Sequence, residues 1–202
     1  AVLAGEAHNA FCAVRPPGHH AERQQAMGFC LFNSLAVGAL HALEVRGLER
    51  VSILDFDVHH GNGSQDVFWS EPRVQYLSSH QMPLYPGTGR AAETGCGNIM
   101  NLPLAPGDGN EVFRKTWSQQ GLPAVQNFDP DLILVSAGFD AHERDPLAQI
   151  ELQDADYRWI TEEICVSATD RCHGRVASIL EGGYDLKALA SASRLHVEGL
   201  AS

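Results

Sequence analysis

The sequence predicts an α/β fold of three layers, α/β/α, with helices on both faces of a mostly parallel central sheet. Two observations predict it. Short β-branched runs alternate with helix-compatible stretches, as in chains of repeated βα units. Nearly every unusual polar residue also falls just after one of those runs, on the edge where open α/β sheets bind ligands.

The first run, residues 50–56 (RVSILDF), and those at 73–79 (RVQYLSS), 131–137 (DLILVSA) and 175–181 (RVASILE) read as buried strands. Helical patterns cover 33–46, 62–69, 109–127, 154–172 and 186–199. Gly121-Leu122-Pro123 is expected to interrupt the third of these, because proline lacks an N–H and clashes with the preceding turn. Residues 1–10 read as the tail of a helix, and the chain opens without Met or a signal-peptide pattern. We therefore expect residues 1–202 to form a single catalytic domain that begins part-way into a longer protein.

Composition narrows the function. Hydrophobic residues make up 44% and charged residues 19%, which excludes a disordered chain. A formal net charge of −11 disfavours nucleic acid as a direct ligand and suits a cationic substrate. Five cysteines without a C-x-x-C pair argue against a disulfide framework and for a reducing cytoplasm. No run reaches the roughly 18 apolar residues of a membrane span.

Asp55-Phe56-Asp57-Val58-His59-His60-Gly61-Asn62-Gly63 packs carboxylates and imidazoles together at a strand end. In extended chain Asp55, Asp57 and His59 share one side, so Asp57 and His59 can chelate one ion. Asp140, after another strand, is the natural third ligand. Three protein ligands leave one position open, as in a catalytic zinc site, and the oxygen-rich set makes Fe2+ a competitor. Arg15-Pro16-Pro17-Gly18-His19-His20 sets two imidazoles after a stiff turn, where they can divide base and acid duties near neutrality. Asp55 is the candidate carboxylate partner of His19. Tyr184, after Gly182-Gly183, can donate its phenol to an oxyanion. His80 and His142 lie at equivalent edges, either lining a pocket or satisfying the core.

With RPPGHHA, GFCLFN, DFDVHHGNG, YPGTG, SAGFDAH and LEGGYD in order along nearly the whole chain, the sequence resembles the zinc-dependent histone deacetylase superfamily. That group includes class II-like enzymes, bacterial acetoin-utilisation proteins and acetylpolyamine amidohydrolases on an arginase-like fold. The resemblance implies zinc-dependent hydrolysis of an N-acetyl amide, on acetyl-lysine or an acetylated polyamine or small amine. It implies Asp57, His59 and Asp140 as zinc ligands, His19 and His20 as tandem catalytic histidines with His20 the principal base, Asp55 as partner of His19, and Tyr184 as oxyanion donor. Gly28, Phe29, Tyr85 and Leu147 match positions lining the acyl-lysine channel. It also implies a potassium ion held by the backbone carbonyls of Asp55, Asp57 and His59 with the Ser78 hydroxyl, and a second monovalent site near Phe68 and Val74.

Three departures stand out. Asn62 replaces an Asp that partners the second histidine in some members, which would make His20 less basic. Tyr85 replaces a commoner Phe. An N-terminal part of the family pattern, which supplies a sheet edge and a substrate-gripping acid, is missing. Two rival readings are a binuclear manganese ureohydrolase on the same fold, which would want more Asp ligands, and a non-catalytic acyl-lysine binder or inactive fragment. An oligomer is compatible with either.

Overall fold

The structure, a computed structural model, describes residues 1–202. Six strands form one sheet: β1 (Asn9–Cys12), β2 (Val51–Asp55), β3 (Val74–Gln81), β4 (Ile99–Leu104), β5 (Leu132–Ala137) and β6 (Val176–Leu180). Their order is β1-β6-β5-β2-β3-β4, and every neighbouring pair is parallel. Every residue of β2, β3 and β5 is buried, as expected of parallel strands covered on both faces.

Alternation along the strands divides the core in two. Val51 and Ile53 of β2, with Leu132 and Leu134 of β5, pack with α1 (Ser34–Glu44) and Phe68 of α2 (Asn62–Phe68). Leu54, Ile133 and Val135 point the other way, into a larger cluster with Phe113, Trp117, Val125, Tyr157 and Ile160. Those residues come from α3 (Asn110–Thr116), α4 (Leu122–Phe128), α5 (Asp154–Cys172) and the turn between α3 and α4; α6 (Leu186–Leu200) adds Ala192 and Leu200. Three layers result.

Two local expectations are corrected, and one strand is added. Residues 1–10 hold a 3-10 turn at Val2–Ala4 and then β1, not the tail of a helix. β4 escaped the pattern because Pro103 interrupts it; its missing N–H is tolerated on an edge strand. The expected break at Gly121-Leu122-Pro123 is instead a π-turn, Trp117–Gly121, which carries the helix through to α4. Glycine is needed there, since a Cβ on Gly121 would lie 2.5 Å from the Trp117 indole.

After β2 the chain builds β3 and β4 on one side, then returns to place β5 and β6 on the other. The β2–β5 boundary is thus a topological switch point, and loops leaving the carboxyl ends of these strands diverge around a crevice. The polar motifs sit in those loops.

Candidate metal centre and active site

β2 ends at Asp55 and the chain then bends, so the alternation expected through His59 does not continue. Asp55 faces His19 and Tyr76. Its Oδ2 accepts from His19 Nδ1 at 3.0 Å and the Tyr76 hydroxyl at 2.9 Å. Asp57, His59 and Asp140 come together instead, with one potential ligand atom of each within 4.8 Å of the others. His59 Nδ1 lies 3.1 Å from Asp57 Oδ1 and 3.0 Å from Asp140 Oδ2.

Backbone N–H groups aim both carboxylates. His59 N donates to Asp57 Oδ1 at 2.8 Å, Gly182 N to Asp57 Oδ2 at 2.8 Å, and Val58 N to Asp140 Oδ1 at 3.0 Å. The approach at Gly182 is so close that a Cβ would fall 2.1 Å from Asp140 Oδ2.

Charge makes the trio a fit for a divalent cation. Burial and the nearby Asp57 charge push the Asp140 carboxyl up. Asp57 itself is held down by His19 and His59 against the cost of its burial. Burial opposes charge on His59, but Asp140 and Asp57 outweigh it and lift the imidazole to about 10. Two acids thus compete for one shared cation, the imidazolium. A divalent ion relieves that competition with donors of the right kind.

His19 and His20 stand beside this trio with ring centroids 4.1 Å apart. Their surroundings differ. Burial disfavours charge on His19, yet Asp55, Asp57 and Glu181 raise it well above an ordinary histidine. His20 is pulled down to about 3 by burial and by the charge of His19, so it stays neutral. Its Nδ1 lies 2.8 Å from Asn62 Oδ1.

A cavity of about 430 Å3 reaches the trio at His59 and is lined by His20, Gly28, Phe29, His59, Leu84, Tyr85, Leu147 and Tyr184. All four residues expected in a channel line it, together with Leu84, which sequence reading missed. Phe29 is 73% exposed, and Tyr85 and Leu147 46% each, so they form an open apolar mouth. Burial and the Asp140 charge push the Tyr184 phenol up, which keeps its proton in place for donation.

His80 and His142 do not line this cavity. His80 bonds Ser78 Oγ at 2.9 Å and Gly89 O at 2.8 Å, whereas His142 bonds Asp154 and stacks on Tyr157. Ser78 pairs in register with Asp55, so its hydroxyl shares the strand edge from which the 55–59 backbone leaves. The carbonyls of Phe68, Glu71 and Val74 surround the side-chain amide nitrogen of Asn98 at 2.8, 3.1 and 2.7 Å.

Glu181 was also missed. Fully buried, its Oε2 accepts from Gly18 N and its Oε1 from the Ser136 hydroxyl at 3.2 Å. A charged residue closing the apolar run RVASILE, at the sheet edge that carries the chemistry, was the available signal.

Comparison with known proteins agrees with this geometry. The histone deacetylase domain family matches residues 1–200. Histone deacetylase 10, chloroplastic, of Oryza sativa subsp. japonica is 46% identical over 185 residues, 90% of this chain and 42% of that protein. The histone deacetylase-like amidohydrolase of Pseudomonas aeruginosa is 42% identical over 189 residues, 91% of this chain and 50% of its own length. A probable deacetylase of Archaeoglobus fulgidus is 41% identical over 191 residues, 93% of this chain and 53% of its own. The chain thus spans about half the length of these relatives. The crystal structure of the HDA15 HD domain superposes with a TM-score of 0.93 at 39% identity, covering 98% of this chain and 57% of that one. Motif order, sheet topology and these matches agree that the chain belongs to the histone deacetylase domain family.

Proposed function

We propose that the protein hydrolyses an N-acetyl amide, on an acetyl-lysine-like side chain or an acetylated polyamine or small amine, to acetate and the free amine. One observation carries this reading: His59, grouped with Asp57 and Asp140, lines an apolar cavity together with a neutral imidazole, His20, and a protonated phenol, Tyr184. Asp57, His59 and Asp140 would hold Zn2+, with Fe2+ a competitor for so oxygen-rich a set. When bound, such an ion polarises the acetyl carbonyl and makes water more acidic.

The chain's own residues do the rest. The apolar mouth at Phe29, Tyr85 and Leu147 accepts an aliphatic stem and presents the acetamide inward. His20 Nε2 takes a proton from water as it attacks the carbonyl carbon, and Tyr184 donates to the developing oxyanion. The leaving nitrogen collects a proton from the histidine pair. His19, with Asp55 behind it, holds positive charge beside His20. A potassium ion on the carbonyls of Asp55, Asp57 and His59 and the Ser78 hydroxyl would neutralise the same loop. An acidic chain favours a cationic substrate over nucleic acid. No helix is long and apolar enough to cross a membrane, and five free cysteines suit a reducing compartment such as the cytoplasm.

Acetate release from a fluorogenic acetyl-lysine peptide, abolished by chelator and restored by zinc, is the test. Binding of the peptide without turnover would favour a non-catalytic acyl-lysine module instead.

A further inference from the structure

The amide of Asn62 is held from both ends. Its Oδ1 faces His20 Nδ1 at 2.8 Å, while its Nδ2 lies 2.6 Å from Glu22 Oε1 and 3.2 Å from Met27 Sδ. An amide's oxygen and nitrogen are told apart by their partners. A carboxylate and a thioether sulfur are acceptors, so the NH2 group faces Glu22 and Met27. The carbonyl oxygen then faces His20 and can only accept, so His20 Nδ1 must carry the hydrogen. In a neutral imidazole only one ring nitrogen does so, and Nε2 is left with a free lone pair.

We propose that Glu22 is a positioning residue that acts through Asn62 to fix His20 in its Nδ1–H tautomer, leaving Nε2 as the base. The inference rests on the deacetylase reading for its catalytic consequence, though not for the tautomer itself. An aspartate at position 62 would accept from His20 without help. Asparagine can turn over, offer its NH2 to Nδ1 and impose the opposite tautomer, in which Nε2 carries a hydrogen and cannot act as a base. Glu22 removes that option. It lies two residues beyond His20 on the same segment, whereas Asn62 opens α2, so the turn and the helix meet through this contact. Glu22 is half-buried and is not among the residues that line the cavity, which separates its effect from substrate contact.

The test is a cycle of Glu22→Ala and Asn62→Asp, read by 15N chemical shifts of the His20 ring and by kcat and KM on an acetyl-lysine peptide. The wild-type ring should be in the Nδ1–H form. Glu22→Ala should mix the two tautomers and lower kcat in proportion to the Nδ1–H form lost, about twofold for an even mixture, at unchanged KM. In the Asn62→Asp background, Glu22→Ala should cost nothing. A pure Nδ1–H ring in Glu22→Ala, an Nε2–H ring in the wild type, or an equal loss of kcat in both backgrounds would overturn the inference. If the tautomer shifts as expected but the wild type releases no acetate, the tautomer assignment stands and the deacetylase reading falls.

Discussion

The Glu181 carboxylate accepts the backbone N–H of His19 at 3.1 Å, across 162 residues of sequence. The same oxygen takes Gly18 N at 2.7 Å, and Arg15 reaches back to the Glu181 carbonyl at 2.6 Å. The turn carrying both histidines is therefore clamped to the loop that carries Tyr184. Glu181→Ala orphans two buried N–H groups, and each unsatisfied group costs about 1–3 kcal/mol. We expect a fall of about 2–6 kcal/mol in unfolding free energy and a loss of turnover in the protein that still folds. Urea midpoints read the first quantity, and an unchanged midpoint would contradict the clamp.

Tyr184→Phe removes one hydroxyl from the cavity wall and no packing from the core. Turnover should fall about a hundred- to a thousandfold, the usual cost of one oxyanion donor, with KM and thermal midpoint nearly unchanged. Full retained turnover on an acetyl-lysine peptide would remove the phenol from the mechanism.

With its Nδ1 between two carboxylates, His59 is lifted to about 10 and is an imidazolium near neutral pH. A metal ion needs that nitrogen unprotonated, so uptake should release about one proton, and affinity should weaken as pH falls. Calorimetry in buffers of different ionisation heat measures the release. It also counts ions: one per chain fits the grouped trio, and two would favour the binuclear ureohydrolase chemistry. Asp140→Ala should abolish high-affinity uptake.

Acid should destabilise the fold through a residue remote from this chemistry. His196 is buried between Thr161 and Ser178, at 2.6 and 2.8 Å, and burial pulls it from 6.5 down to about 4. Between those values the unfolded chain binds more protons than the folded one, so stability rises with pH. This contribution is complete above about pH 6.5 and is lost as pH falls toward about 4. His196→Asn removes the titration, so its urea midpoint should depend less on pH in that window. An identical slope in both proteins would count against it.

How much was legible depended on where the physics is local. β2, β3, β5 and β6 announce themselves through short runs rich in Val, Ile and Leu, and every residue of β2, β3 and β5 is buried. β1 and β4 are edge strands, and neither a four-residue segment nor one containing Pro103 carries a reliable pattern. Asp57, His59 and Asp140 were readable because acids crowded at buried strand ends repel one another unless a cation sits among them. The contacts of Glu22 and Glu181 were not, since their partners lie on other segments and only the folded chain brings them together. For Asp55, a strand's alternation could not show that Tyr76 shares its carboxylate with His19.

The close approach at Gly182 sets a limit on how this protein can vary. Its backbone torsion is open to any residue, so nothing in the main chain itself would resist alanine there. The obstacle is the carboxylate oxygens, already occupying the space that a methyl group would need. A single added carbon would therefore leave the sheet standing while spoiling the cage beside it, separating a folded protein from one able to retain its ion.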